Sequence, residues 1–241
     1  MTVPRTSLPD CLICIPIFAS SLPAATPAHS PARRIGLTGG IACGKSFVAT
    51  LFRDCGAMII DADTAARQAV TPGKPALEEI IYAFGSEFIL PDGSLDRKRL
   101  GDHVFSDPLA LDRLNEIIHP RVFAEMTVLR KDALAANPYV RIIEDIPLLF
   151  ECELMDSLDL VIVVFVPPEV QLARLMKRDG RGQDDARRRI AVQIPLKEKC
   201  RQADIVIDNS GSREETRRQV RKIWTTWDGN NSVEHPIRQP K

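Results

Sequence analysis

The stretch Gly39-Gly40-Ile41-Ala42-Cys43-Gly44-Lys45-Ser46 decides the fold, because it matches in full the phosphate-binding loop pattern G-x-x-x-x-G-K-[ST]. A short apolar run at residues 35–38 comes before it, and a helix-like stretch at 46–53 follows it. The motif requires this order of strand, loop and helix, and a chance glycine-rich turn would not supply it. We therefore predict an α/β protein that binds a nucleoside triphosphate.

The loop is expected to bind phosphate mainly through its backbone. Glycines let the chain curl so that successive N–H groups point at phosphate oxygens, and the N-terminus of the following helix adds its positive end. Lys45 is predicted to reach the β- and γ-phosphates of ATP, and the Ser46 hydroxyl to bind Mg²⁺. The predicted nucleotide-binding residues are Gly39, Ile41, Ala42, Cys43, Gly44, Lys45, Ser46, Phe47 and, near the adenine, Asn209.

Two aspartates, Asp61 and Asp63, come at the end of a second apolar strand. Ligands gather at the carboxyl ends of parallel strands, so this pair and the loop should face one site. Side chains alternate along an extended chain, which predicts that both carboxylates lie on the same face. Asp63 is the predicted general base for an attacking hydroxyl and also a Mg²⁺ ligand, while Asp61 holds substrate or Mg²⁺ through water. The alternative for Asp61 is a cap on a helix that starts near Thr64.

Composition indicates an ordinary globular protein. The chain has 241 residues, of which 44% are hydrophobic and 27% charged, so the length allows one large domain or two small ones. The formal net charge is zero, which argues against a chain that binds nucleic acid over its whole surface. No apolar run reaches transmembrane length, so we predict no membrane partner and a cytoplasmic location.

The six cysteines are scattered, and one of them lies inside the phosphate loop. This distribution predicts free thiols in a reducing compartment rather than a disulfide framework. Cys11 and Cys14 form a lone C-x-x-C, which lacks the second pair or the histidines of a zinc site.

Residues 1–32 are rich in proline and poor in charge, which predicts a disordered extension or a start codon assigned too far upstream. Their short apolar run, residues 11–19, is weakly similar to a secretory signal, but a loop that binds ATP argues against export. Residues 33–228 are predicted to form the catalytic domain, and residues 229–241 a flexible tail.

Within the domain, apolar strands alternate with helical stretches, which is typical of a parallel sheet. The expected fold is therefore α/β, a P-loop NTPase-type arrangement of three layers around a five-stranded parallel sheet. The strands are predicted at 35–38, 58–61, 140–145, 160–166 and 205–208.

The region from about residue 64 to 139 contains no convincing strand, and we predict a helical insertion there that contacts the phosphoryl acceptor. Its helices are predicted at 65–70, 76–84, 97–104, 108–119 and 121–136. His119 falls at the junction of the last two, before Pro120. It either binds the acceptor together with Arg121 or holds the junction.

A basic stretch at about 174–201, with ten basic and four acidic residues, is predicted to be a helical lid. Lid closure would exclude water and bring arginine to the transferred phosphoryl group. Arg174 and Arg178 are four residues apart on one helical face and are the predicted catalytic arginines. Gly180 and Gly182 would permit a hinge. The alternative for most of these basic residues is a solvated helix with salt bridges.

Asp145 ends the third predicted strand, and its role stays open at this point. It is either a Walker-B-like contact for Mg²⁺ or a cap on the next turn.

From Arg34 to about Trp224 the chain resembles the dephospho-CoA kinases. The resemblance is carried by the loop and by separate motifs in the same order: Asp61-Ala62-Asp63 with Ala66-Arg67, Leu95-Asp96-Arg97 with Val104-Phe105, Asn115 to Pro120, Pro147 to Glu151, and Ile207 to Gly211. It implies transfer of the γ-phosphoryl group of ATP to the ribose 3′-hydroxyl of dephospho-CoA, the last step of coenzyme A synthesis. The implied acceptor-binding residues are Asp61, Asp63, Arg67, His119 and Arg121.

The chain departs from that family at Ala42, Cys43 and Phe47, where glycine, serine and threonine are common. These changes leave Gly44, Lys45 and Ser46 intact, so we expect altered ATP affinity or thiol sensitivity rather than loss of function. The lid segment 182–185 also lacks the usual hydroxyl residue.

Two alternative functions remain. One is another small-molecule or nucleotide kinase with the same core. The other is a nucleotide-dependent switch or RNA-binding regulator, which the basic stretch favours but which lacks a guanine-reading [N/T]-K-x-D motif and interleaved aromatic side chains. For the main hypothesis we expect dephospho-CoA as the partner, no nucleic acid, and a monomer or weak homo-oligomer.

Overall fold

The computed structural model describes residues 34–105, 107–180 and 182–229. The predicted extension at residues 1–32, which includes Cys11 and Cys14, lies outside the described residues, as does the predicted tail from residue 230 onwards. Along the described part of the chain, no helix combines the length and apolarity needed to cross a membrane.

The described residues form one five-stranded sheet in which all neighbouring strands are parallel. The strands are β1 (Ile35–Gly39), β2 (Met58–Asp61), β3 (Ile142–Asp145), β4 (Leu160–Phe165) and β5 (Ile205–Asp208), in the spatial order β2-β3-β1-β4-β5. All five predicted strands are confirmed, with ends that differ by at most two residues.

The central strands are covered on both faces. Every residue of β1 and all but the last residue of β4 are buried. Since successive side chains of a strand point to opposite faces, a strand buried at every position must have a layer on each side. The predicted three-layer α/β fold is therefore confirmed.

Helices follow the strands in the order that the sequence indicates. The helices outside the insertion are α1 (Lys45–Asp54), α6 (Pro168–Asp179), α7 (Gln183–Ala191), α8 (Leu196–Gln202) and α9 (Arg213–Gly229). Helices α6, α7 and α8 contain the predicted lid. Gly180 ends α6 in the left-handed conformation, with φ of 63°, which favours glycine.

The insertion between β2 and β3 has a core of its own. It comprises α2 (Ala62–Ala69), α3 (Pro75–Phe84), α4 (Arg97–Phe105) and the N-terminal half of α5 (Pro108–Ala136). Its buried apolar side chains form a cluster separate from the one around the sheet, consisting of Val70, Ala76, Leu77, Ile80, Phe88, Leu95, Leu100, Val104 and Ile117. Further along α5, Val122 and Met126 pack into the sheet's core instead.

The predicted helix break at Pro120 is wrong, because α5 continues through it. Proline inside a helix removes one hydrogen bond and costs about 3 kcal/mol or more. Ile117 and Val122 are both buried, on either side of Pro120 and in different cores. Packing at both ends therefore holds the helix together despite the missing bond.

The start of α2 also differs from the prediction. The Asp61 carboxylate accepts hydrogen bonds from the backbone N–H groups of Asp63 and Thr64, at 2.8 and 3.1 Å, and so caps the helix. The helix consequently begins at Ala62, and Asp63 lies in its first turn. The predicted alternation of two carboxylates along an extended chain is wrong.

Candidate functional site

The site lies where β1, β2 and β3 end. Strand pairing places Asp145 of β3 opposite Leu37 of β1 and opposite Asp61 of β2. The phosphate loop leaves β1 at the same edge of the sheet, since β1 ends at Gly39. Loop and aspartates therefore share the carboxyl edge of the sheet, where α/β proteins bind ligands.

The loop curls as the motif requires. Ala42 and Gly44 have φ angles of 60° and 88°, both in the left-handed region, and the N–H of Cys43 donates to the carbonyl of Gly40 at 3.2 Å. Helix α1 begins directly afterwards, at Lys45. Turns of this kind point backbone N–H groups inward and favour anions.

Lys45 meets the aspartates at the strand ends. Its ammonium donates to the Asp145 carboxylate, and both side chains are largely buried. Burial raises the pKa of Asp145, the charges of Asp61 and Asp63 raise it further, and the charge of Lys45 acts in the opposite direction. Asp61 and Asp63 are thus close enough to act electrostatically on Asp145.

Ser46 and the aspartates are the residues that would bind Mg²⁺. Ser46 is exposed in the first turn of α1, and Asp63 is exposed in the first turn of α2. Within the described ranges, no group of three or more histidine, cysteine or carboxylate side chains forms a ready metal site. Mg²⁺ usually takes only one or two protein carboxylates and completes its shell with phosphates and water. The residues present fit that mode.

The two predicted lid arginines have different partners. Arg174 donates from Nη2 to the carbonyl oxygen of Asn209 at 2.9 Å. Arg178 instead pairs with Asp179, at 2.7 Å from Nε to Oδ1, and this hydrogen bond raises the pKa of Arg178. The structure brings Arg174, but not Arg178, next to the residues that support the loop.

Asn209 is buried and holds the loop from the side of β5. Its amide nitrogen donates to the carbonyl of Cys43 at 2.8 Å, and its amide oxygen accepts from the Thr216 hydroxyl at 2.9 Å. Nearby, the guanidinium of Arg213 lies over the ring of Phe47, 5.3 Å from its centroid. These contacts place the turn between β5 and α9 beside the start of α1.

Cys43 is fully buried, and burial raises the pKa of its thiol. A buried thiol with a raised pKa is a poor nucleophile. The predicted thiol sensitivity is therefore not supported by the surroundings of this cysteine.

Arg67 and Arg97 lie together on the insertion. The Nη2 atom of Arg97 donates to the carbonyl oxygen of Arg67 at 3.0 Å. The pKa of Arg97 is lowered, first by burial and then by the charge of Arg67. Among the described residues, neither arginine forms a salt bridge with a carboxylate. Sequence reasoning selected Arg67 but gave Arg97 no role, although its Leu95-Asp96-Arg97 motif was a usable signal.

The other two predicted acceptor residues lie on α5. His119 is half buried in the middle of the helix, which lowers its pKa, and its ring centroid is 6.4 Å from that of Phe123. Arg121 pairs with Glu79 of α3. The structure thus shows Arg121 joining two helices of the insertion.

Sequence reasoning missed two glutamines that contact the loop. Gln171 of α6 and Gln193, between α7 and α8, both form hydrogen bonds with the backbone of Ile41. No motif pointed to them, because both are isolated polar residues far from the loop in sequence.

Comparison with known proteins gives the same family from both sequence and structure. The family profile described as dephospho-CoA kinase matches residues 33–215. A dephospho-CoA kinase from Geobacillus kaustophilus is 47% identical over 194 residues, which cover 80% of this chain and 96% of the relative. One from Anaeromyxobacter dehalogenans is 50% identical over 184 residues, covering 76% of this chain and 86% of the relative.

Solved structures agree with the sequence comparison. The dephospho-CoA kinase from Campylobacter jejuni superposes with a TM-score of 0.63 at 30% identity, covering 83% of this chain and 98% of its own. A Thermus thermophilus protein superposes with a TM-score of 0.68 at 32% identity, covering 82% and 98%.

Proposed function

The chain belongs to the dephospho-CoA kinase family, and we propose that its site transfers the γ-phosphoryl group of ATP to the ribose 3′-hydroxyl of dephospho-CoA, with Asp63 as general base. The products are CoA and ADP, and the reaction is the final step of coenzyme A biosynthesis. The assignment of residues rests mainly on the contact between Lys45 and Asp145, which lies close to Asp61 and Asp63.

The loop binds the triphosphate of ATP. The backbone N–H groups of Ala42 and of residues 44–46 face the phosphates, since those of Cys43 and Phe47 donate within the loop. The side chain of Lys45 lies at the edge of the site, where it contacts Asp145. Ser46 and Asp63 would hold Mg²⁺, whose charge would offset the negative charge of the triphosphate. Asp145 keeps Lys45 directed toward that region, and Arg174 adds positive charge from α6.

Asp63 accepts the proton of the attacking hydroxyl. Its side chain is exposed in the first turn of α2, whereas the Asp61 carboxylate is occupied with the backbone N–H groups of the helix cap. An exposed carboxylate can approach a substrate hydroxyl directly. The cap, in turn, fixes the position of the first helical turn and so of Asp63.

The acceptor's diphosphate binds at Arg67 and Arg97. Arg67 is four residues after Asp63, so both side chains lie on the same face of α2, separated by about 6 Å along the axis. Two neighbouring guanidinium groups repel each other, and a bound diphosphate would relieve that repulsion. His119 and Arg121 remain predicted contacts, and so does Arg178 of the lid.

The test is ADP release with Mg-ATP, measured with dephospho-CoA and with a panel of nucleoside monophosphates. ADP that appears only with dephospho-CoA, together with a CoA product, is the expected result. Asp63→Asn should then lower turnover by at least about a hundred-fold while ATP still binds, because a positioned general base contributes about that much. Turnover of the variant near the normal rate would remove Asp63 from the role of base.

We propose that the protein is cytoplasmic. The described cysteines are free, which suits a reducing cytoplasm where ATP is available. We also propose a monomer or weak homo-oligomer. Sedimentation of the purified protein would test the assembly.

A further inference from the structure

We infer that Gln171 and Gln193 are positioning residues for ATP: together they form a clamp on the Ile41 peptide groups that keeps the phosphate loop in its curled shape. The inference goes beyond the proposed roles of the loop residues. It concerns two side chains of the lid helices and their linker, outside the motif.

The clamp holds Ile41 on both of its backbone groups. The Nε2 atom of Gln171 donates to the carbonyl oxygen of Ile41 at 2.9 Å, and the N–H of Ile41 donates to Oε1 of Gln193 at 2.7 Å. Because a backbone N–H can only donate and a carbonyl can only accept, the orientation of both carboxamides is fixed by their partner. Gln171 must act as donor and Gln193 as acceptor.

The clamp lies next to the part of the loop that departs from ordinary backbone geometry. Ala42 follows Ile41 and has φ of 60°, which is uncommon for a residue with a side chain. On its other side, Asn209 holds the carbonyl of Cys43 at 2.8 Å. Side-chain amides therefore fix the backbone before and after Ala42, which is how an unfavourable conformation persists in a folded protein.

The clamp is itself rigidly supported. Gln171 is only 5% exposed, and a Cβ atom at Gly40 would lie 2.6 Å from its Nε2, so the loop and α6 are in close contact. Beside Gln193, the N–H of Ile194 donates to Glu151 at 3.1 Å, and the same carboxylate lies 2.6 Å from the fully buried ammonium of Lys199. The linker between α7 and α8 is thus fixed to the segment that follows β3.

A shared role in shaping the loop has a specific consequence for ATP. The N–H groups that face the phosphates belong to the residues directly after Ile41, so a loop released at Ile41 presents them less accurately. The affinity for ATP then falls, whereas the affinity for dephospho-CoA, bound on the insertion, does not. A role in packing alone would instead lower stability and affect both substrates.

Gln171 donates a hydrogen bond to Ile41, whereas Gln193 accepts one from it, and substitutions by glutamate can test this difference. Gln171→Glu replaces the donor with an acceptor that faces the Ile41 carbonyl, whereas Gln193→Glu keeps an acceptor for the Ile41 N–H. Both add the same charge with almost no change of shape. Gln183→Glu, at an exposed position on α7, is the control for charge on the lid. The KM for each substrate and the affinity for Mg-ATP are measured for all three variants and the parent.

We expect Gln171→Glu to raise the KM and the Kd for ATP by about ten-fold at pH 8, because it leaves a carbonyl unpaired against a carboxylate. Gln193→Glu and Gln183→Glu should change them by less than about three-fold, and the KM for dephospho-CoA should stay within about two-fold in all variants. Lowering the pH toward about 6 should partly restore ATP affinity in Gln171→Glu, since a protonated carboxyl group regains a donor.

Other outcomes overturn the clamp. Equal losses in Gln171→Glu and Gln193→Glu would mean that charge or packing matters rather than donor and acceptor polarity. Normal ATP affinity in Gln171→Glu would remove the clamp from nucleotide binding altogether. If the parent protein transfers no phosphoryl group to dephospho-CoA, the proposed function is refuted. The clamp can still be tested through the affinity for ATP.

Discussion

The ammonium of Lys45 donates to the carboxylate of Asp145, and this contact joins the phosphate loop to the end of β3. Asp145 is 5% exposed, and burial raises its pKa. A buried carboxylate of this kind depends on a nearby cation for its stability. Lys45 therefore stabilises the fold in addition to its proposed role in the reaction, and mutation can separate the two effects.

Lys45→Met should abolish phosphoryl transfer and also lower the free energy of unfolding by about 3 kcal/mol, because it leaves Asp145 buried without its cation. Adding Asp145→Leu should restore at least half of that stability and none of the activity. Urea denaturation and ADP release measure the two effects. A double variant as unstable as Lys45→Met alone would contradict the stabilising role of the pair.

Asp61 offers a test that separates capping from charge. Asparagine caps helices about as well as aspartate, so Asp61→Asn should change the free energy of unfolding by only a few tenths of a kcal/mol, while Asp61→Ala should cost about 1 kcal/mol. If the cap is the main role, turnover should fall more in Asp61→Ala than in Asp61→Asn. Equal losses of turnover would show that the reaction needs the carboxylate charge instead.

Arg67→Ala should raise the KM for dephospho-CoA by about ten-fold or more and leave the KM for ATP unchanged, because it removes a charged contact with the acceptor's diphosphate. Lys98→Ala is the matched control, since Lys98 is exposed on α4 and already pairs with Asp102. Steady-state kinetics with each substrate varied in turn gives both constants. A rise in the KM for ATP would place Arg67 at the nucleotide instead.

Burial lowers the pKa of His119, which predicts how stability varies with pH. The unfolded chain takes up a proton near the ordinary value of 6.5, while the folded chain keeps His119 neutral to lower pH. The contribution of His119 is therefore fully present above that value and is lost as pH falls toward the folded-state pKa. His119→Gln should lose less unfolding free energy than the parent between about pH 7 and about pH 5. If urea denaturation gave the same dependence of unfolding free energy on pH for His119→Gln and for the parent, the prediction would be contradicted.

Local patterns predicted much of this fold because they act over short stretches of chain. The loop motif and the apolar runs located all five strands, and the phosphate loop and Asp145 fell at their carboxyl ends. The errors came from effects that act at a distance. Packing in two cores carried α5 through Pro120, and a side-chain cap moved the start of α2 so that Asp63 became helical.

The clamp on the loop also could not be predicted from local sequence patterns. Gln171 and Gln193 contact Ile41 across 130 and 152 residues of sequence. A glutamine on a helix or in a linker is usually a solvated polar residue. Only the folded chain shows that these two are directed at a backbone group of the phosphate loop.

Helix α5 belongs to two cores, with Ile117 packed in the insertion and Val122 packed against the sheet. Pro120, which has no N–H, lies at the boundary between them. We expect amide hydrogen exchange to divide at this point: amides before Pro120 should exchange together with α3 and α4, and those after it should exchange only when the sheet opens. A single continuous helix would then contain two cooperative units of unfolding, with the insertion able to loosen while the sheet and the phosphate loop stay intact.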